Sequence, residues 1–221
     1  MDFFTADTHF SHGNILKYCK RLRYLDDEEL RLFAKEEAEN KKGNRAHLFK
    51  VSLESIYRMN EDFINTINSM VAPDDTLWHL GDFCFCRRGE EYNIAKRFRD
   101  RIACRNINLI WGNHDRREIS RAFNEVYDKA TVVVNNQLIV MDHYAHAVWE
   151  KSHRGSWHIY GHSHSTAEKW LNEMMPNRRS IDVGVDNAIK ILGEYRPFSF
   201  KDLQKIFAHK TGCSIDHHKE E

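Results

Sequence analysis

Five short apolar runs, each of strand length, end abruptly in Gly, Asp, Asn or His. They are Phe3 to Ala6 before Asp7, Thr76 to Leu80 before Gly81-Asp82, Asn108 to Trp111 before Gly112-Asn113-His114, Leu138 to Met141 before Asp142-His143, and Trp157 to Tyr160 before Gly161-His162. A run without polar alternation reads as a strand buried on both faces, and such strands deliver polar groups at their tips. Gathering carboxylates, an amide and imidazoles at the ends of separate buried strands is costly unless a charge compensates them, and bound metal ions do so. The 14 His among 221 residues suit this reading, because imidazole is a common transition-metal ligand.

Between the runs, Ser52 to Val71 places Leu53, Ile56, Phe63, Ile67 and Met70 near helical spacing, with Ser52 as N-cap and Pro73 beyond the end. This predicts a core-packed helix. The stretch from Asp26 to Lys42 is rich in Glu, Lys and Ala and closes at Gly43-Asn44, which reads as a solvated surface helix. Val132 to Val134 and Leu138 to Met141 flank Asn135-Asn136-Gln137 and predict a hairpin. The length supports one substantial core, so one domain is expected over residues 1–210, with a frayed tail at 211–221.

Lys plus Arg and Asp plus Glu both number 33, so no global field advertises nucleic acid or an anionic membrane. Between Arg87 and Arg121, ten basic residues face five acidic ones, a local excess read as a solvated helix unless the side chains share a face. The five Cys form neither a disulfide framework nor a CxxC pair, and the N-terminus lacks signal-peptide character; a cytoplasmic, unexported protein with no membrane span is expected. Cys84 and Cys86 read as reduced packing residues, and His79 as a core histidine with its own hydrogen bond.

The ordered blocks Asp7-Thr8-His9, Gly81-Asp82, Gly112-Asn113-His114-Asp115, His143 and Gly161-His162-Ser163-His164 resemble the calcineurin-like metallophosphoesterases, in their bacterial and phage-type form. The resemblance runs from Phe3 to about Asp186. It implies an α/β fold, a four-layer α-β-β-α sandwich with two mixed sheets. It also implies that Asp7, His9, Asp82 and His164 hold one divalent ion and Asp82, Asn113, His143 and His162 the other, with Asp82 bridging. Manganese is the first expectation, with iron, zinc, cobalt or nickel as alternatives. The implied activity is hydrolysis of a phosphomonoester or phosphodiester, a nucleotide among the possible substrates, by a hydroxide between metals about 3.5 to 4 Å apart.

His114 then faces the substrate as general acid or transition-state stabiliser with Asp115 orienting it, unless His114 is itself a ligand of the second metal. His12 either touches substrate phosphate, orients a ligand or is structural. The chain departs from its relatives in a charged helical insertion at about 22–48 and in Asp182, where relatives often carry Asn. A noncatalytic interaction scaffold is the competing reading, opposed by the retention of His114 and every ligand block. The resemblance leaves substrate, metal identity and oligomeric state open.

Overall fold

Strand β1 (Asp2–Thr5) pairs in parallel with β2 (Thr76–His79), which is the first long-range link in the chain. In the computed structural model, which describes residues 1–43 and 48–212, two mixed β-sheets lie against each other with helices around them. Strand β3 (Asn106–Ile110) extends the first sheet, β4 (Glu125–Tyr127) forms one edge, and antiparallel β9 (Phe198–Ser199) forms the other. The second sheet runs β5 (Lys129–Val134), β6 (Gln137–Asp142), β7 (Trp157–Tyr160), β8 (Ser180–Asp182). Each of the five apolar runs contains or overlaps one of these strands. Short β4, β8 and β9, with two or three residues each, offered too little pattern to be read in advance.

Successive strand side chains point to opposite faces, and this divides the core into two. Phe4, Trp78 and Ile110 pack between the sheets against Ile139, Met141, Trp157 and Ile159. Phe3, Leu77 and Leu109 point the other way, onto α3 (Leu53–Met70) and α4 (Glu91–Arg99) through Met59, Phe63, Ile67, Ala95 and Phe98. On the outer side of the second sheet, Tyr160 packs with Leu171 and Met175 from the region of α5 (Glu168–Met174). Helices α6 (Val185–Leu192) and α7 (Phe200–Phe207) close the space between the sheets with Ala188, Leu203 and Phe207. Burying each such large apolar side chain contributes about 1.5 to 3 kcal/mol, so the two clusters carry most of the favourable folding energy.

Helix α3 starts at the expected cap, since Ser52 Oγ accepts from the Ser55 backbone N–H at 3.1 Å. Leu53, however, is 81% exposed: it sits in the first turn, beyond the edge of the stripe that meets the sheet. The hairpin turn is the two-residue Asn135-Asn136, both at positive φ (47° and 65°), and Gln137 belongs to β6. This left-handed pair matches the twist of the flanking strands, which is why Asn is favoured there.

Helix α1 (Ile15–Tyr18) leads into the charged segment, which contains a 3-10 turn at Leu22–Tyr24 and helix α2 (Asp27–Lys41). Asp26 and Glu29 form a reciprocal capping box, each side chain accepting the other's backbone N–H. The segment is more than a solvated helix, because Phe33 and Glu36 are buried against the body of the protein. Residues 44–47, and the tail from residue 213, lie outside the described residues. Gly212 donates its N–H to the Asn177 carbonyl at 3.0 Å, so the start of the expected frayed tail is tied down. No helix among the described residues is long and apolar enough to cross a membrane.

Candidate metal centre

The loops after β1, β2, β3, β6 and β7 meet at one end of the two sheets. They are laced together by their own backbones: Asp7 N–H donates to the Gly81 carbonyl and His9 N–H to the Asp82 carbonyl, each at 3.0 Å. Asp7, His9, Asp82, His162 and His164 all hold positive φ, between 47° and 64°. For a non-glycine residue this conformation costs on the order of 1 to 3 kcal/mol, and it persists where the surroundings enforce it. Five strained residues in one cluster mark a site built against local preference. No sequence pattern announced that strain.

The side chains expected to hold metal fall into two groups of potential ligands, and Cys19, His164 and Asp186 form a third behind them. Asp7, His9 and His164 offer atoms within 4.8 Å of one another, and Asp82, His143 and His162 do the same. Asp82 stands between them: its Oδ2 lies 3.5 Å from both His9 Nε2 and His143 Nε2. Its other oxygen accepts the His114 backbone N–H at 2.8 Å, which fixes the carboxylate plane. Asn113 Oδ1 lies 3.0 Å from His143 Nε2 and 2.8 Å from His162 Nδ1. All seven residues expected to hold metal are therefore gathered here.

The donor chemistry fits a cation. His143 Nδ1 is 2.7 Å from the Leu80 carbonyl, so it carries the hydrogen and leaves the Nε2 lone pair facing Asp82 Oδ2 and Asn113 Oδ1 in the neutral ring. In that state three electron-rich atoms converge. His9 Nε2 is buried and has no hydrogen-bond partner among the described residues. Asp7 titrates well above the usual carboxylate range, first because it is fully buried and then because Asp182, Asp82 and Asp186 surround it. Burial pulls His9 down to about 2, against the attraction of Asp82. For His143 burial also lowers the pKa, but the hydrogen bond and charge of Asp82 outweigh it and the net shift is upward. Without a metal the cluster settles its charge with protons, and the atoms that take them are of the kind that bind cations.

Gly112 and Gly81 let two of these loops touch. A Cβ at Gly112 would land on the carboxylate and backbone nitrogen of Asp82, and Gly81 holds φ at 93° against the backbone of Gly112. Gly112→Ala is expected to lower the melting temperature by roughly 2 to 12 °C, from an overpacking cost of about 1 to 3 kcal/mol in a chain of this size, and to reduce metal uptake. Unchanged melting and unchanged metal content by elemental analysis would contradict this packing.

His114 is exposed, its ring set edge-on to that of His9 with 5.6 Å between the ring centres. Asp115 does not orient it. Both Asp115 oxygens accept backbone N–H groups, from Asp82 and Gly112 at 2.9 Å and from Phe83 at 3.0 Å. Burial raises its pKa to about 6 despite those bonds. Asp115 thus braces the loop that presents Asp82, a role its adjacency to His114 in sequence concealed. His79 is a core histidine as expected: Thr8 Oγ1 donates to the Phe83 carbonyl and so accepts from His79 Nε2, 2.9 Å away. Cys84 and Cys86 lie with their sulfurs 3.2 Å apart, as free thiols.

Two residues behind the site escaped the sequence reading. Arg21 is fully buried and its guanidinium donates to the backbone carbonyls of Asp7 and Thr8 (2.7 and 3.0 Å) and to both oxygens of Asp186 (2.7 and 2.9 Å). Asp186 in turn receives His164 Nδ1 at 2.7 Å, which turns Nε2 of that ring toward the site. Asp186 is held below the usual carboxylate range: burial opposes this, but the charge of Arg21 and the bonds from His164 and Arg21 prevail. The only advance signal was the place of Asp186 at the end of the resemblance. Asp182, the unusual Asp, is fully buried and accepts from Ser163 Oγ and from the backbone of Ser165 and Gly184, at 2.7, 2.8 and 2.7 Å, so it shapes the loop carrying His162 and His164.

The family model for the calcineurin-like phosphoesterase superfamily domain matches residues 58–177. The chain belongs to the calcineurin-like phosphoesterase superfamily. The matched span of this superfamily member contains Asp82, Asn113, His114, His143, His162 and His164; Asp7, His9, Arg21 and Asp186 fall outside it and are joined to it by the fold. An uncharacterized protein of Methanocaldococcus jannaschii is 24% identical over 206 residues, which are 92% of this chain and 89% of that one. A crystal structure of a protein of unknown function from Aquifex aeolicus shares the fold at a TM-score of 0.59, with 20% identity over 93% of this chain and 98% of that one.

Proposed function

We propose that this superfamily member hydrolyses phosphate esters with a pair of divalent cations, one held by Asp7, His9, Asp82 and His164 and the other by Asp82, Asn113, His143 and His162. The observation that carries the proposal is the position of Asp82 Oδ2, 3.5 Å from an imidazole nitrogen of each group, where one carboxylate oxygen serves both. When bound, such a pair supplies Lewis-acid polarisation of a phosphoryl oxygen and a water acidified toward neutrality. The donor set of imidazole, amide and carboxylate suits manganese, iron, zinc, cobalt or nickel.

The protein's own groups do the rest. Asp82 is fixed by the His114 N–H, and the loop carrying it is fixed by Asp115, so the centre is organised before substrate arrives. Asp186 and Arg21 hold the His164 ring and the Asp7 and Thr8 carbonyls in register. His114, exposed beside His9, donates a proton to the departing oxygen or a hydrogen bond to the phosphoryl group. Among the described residues no hydrogen bond fixes its ring, which leaves it free to follow the substrate.

The test is turnover by chelator-stripped protein reloaded with each metal in turn, assayed on p-nitrophenyl phosphate and bis(p-nitrophenyl) phosphate. His114→Ala should reduce kcat by about 10² to 10⁴, the usual worth of a positioned proton donor, with metal content unchanged. An unchanged kcat removes the role given to His114. If fully metallated protein hydrolyses neither ester, the proposal fails and the interaction-scaffold reading takes its place.

A further inference from the structure

Beside the metal centre lies a cleft of about 1020 Å³, lined on one side by His12, Asn14 and Tyr18, on another by Leu48 to Val51, and on a third by Phe85, Arg87 and Arg97. Small-molecule pockets span roughly 300 to 1,000 Å³, so this one is oversized for a small phosphomonoester and matches a ligand of dinucleotide size.

Its aromatic groups start at the centre and lead away from it. The His12 ring lies 5.4 Å from that of His9 and stacks on Phe85 at 4.6 Å with 13° between planes. Tyr18 meets His12 edge-on at 6.4 Å. Phe85 and Tyr18 are 50% and 61% exposed, a large apolar area to leave open to water. Beyond these rings stand Lys50, Arg87 and Arg97, none of which has a carboxylate partner among the described residues, against the single carboxylate of Glu90.

The opposite wall is built deliberately rather than left by loose packing. Lys17 and Glu36, both buried, pair at 3.1 Å; Lys17 also donates to the Phe49 carbonyl at 3.1 Å, and Glu36 accepts the Leu48 N–H at 3.1 Å. Glu29 takes the Ser52 N–H at 2.6 Å. The buried acids of this charged segment, Glu29 and Glu36, therefore hold the cleft wall in place. Of the basic excess between Arg87 and Arg121, the structure sends Arg87 and Arg97 here, and engages Lys96, Arg101 and Arg105 with Asp100, Glu61 and Asp74.

We infer that this cleft binds a nucleotidyl group, an aromatic base against Phe85, His12 and Tyr18 and a second phosphate against Lys50, Arg87 and Arg97, so that the substrate is a nucleotide phosphodiester. The inference rests on the phosphoesterase reading above for its chemistry: water adds across one P–O bond, the departing nucleoside oxygen takes a proton, and no other reactant is needed. An exposed aromatic platform beside unpaired cations is how base faces and phosphates are held without sequence preference.

The experiment is calorimetric titration of the metal-stripped full chain with a 5′-phosphorylated deoxyadenosine dinucleotide, with adenosine and ribose 5-phosphate as partial ligands, followed by turnover of the dinucleotide and of bis(p-nitrophenyl) phosphate by the loaded protein. The dinucleotide should bind more tightly than either part and more weakly as salt rises. Phe85→Ala and Arg87→Ala should each raise its Kd roughly ten-fold, in the range found for loss of one stacked base or one charge-assisted contact, and lower the dinucleotide-to-chromogenic ratio of kcat/KM similarly. Arg105→Ala, on the far edge and paired with Asp74, serves as the unaffected control. Chromogenic turnover with dinucleotide binding no tighter than ribose 5-phosphate, or with both cleft variants binding as the parent does, overturns the inference and leaves the phosphoesterase intact. Tight dinucleotide binding sensitive to both variants, with no ester hydrolysed, keeps the cleft's ligand class and sinks the hydrolase.

Discussion

Asp82→Asn is expected to lower kcat/KM by on the order of 10⁴ or more and to empty both metal positions. Removing one preorganised electrostatic contact at a reacting centre typically costs about 10² to 10³, and in the proposed arrangement this substitution acts on two ions at once. The amide also carries a hydrogen-bond donor, so it presents an N–H₂ to one of the atoms that the carboxylate serves as acceptor. His9→Ala removes a ligand from one group alone and should mainly release one equivalent of metal. Elemental analysis that finds a single ion lost from Asp82→Asn, with the second retained at full occupancy, would contradict the shared carboxylate.

Arg21→Met should be the most damaging change away from the ligands. The guanidinium is fully buried and satisfies Asp186 and two backbone carbonyls, so its removal strips the buried Asp186 carboxylate of its cation, leaving it the His164 bond, and takes the side-chain donor from two backbone acceptors. Breaking one side of a buried ion pair costs about 3 to 5 kcal/mol, which in a chain of this length lowers the melting temperature by roughly 6 to 20 °C. Because Asp186 also holds His164, the same variant should bind metal more weakly at the group containing Asp7 and His9. In an Asp186→Asn background the cost of Arg21→Met should shrink, since the stranded charge is gone. Simple additivity in that double-mutant cycle, read from denaturant midpoints, would show that the two residues do not act as a unit.

Much of this protein was legible before any coordinates. Strand tips could be placed because buried strands are short, uninterrupted apolar runs, and each polar break after them is visible as a residue type. The order of those breaks named the superfamily and gathered the seven candidate ligands. Helix α3 was legible through its cap and period, though not the exposure of Leu53, because the first turn's rotation relative to the stripe depends on where the sheet ends.

The sequence alone therefore determined which side chains are available for chemistry, their order, and the strands that carry them, since these follow from local patterns of hydrophobicity and spacing. Only the tertiary structure decided that Asp115 bonds backbone while Arg21 and Asp186, 165 positions apart, form a buried pair behind His164. The left-handed backbones at the site and the cleft wall held by Lys17 and Glu36 were likewise invisible in one dimension. Contacts between distant segments are selected by packing and by the need to satisfy every buried polar group, and neither condition can be evaluated until the chain has closed upon itself.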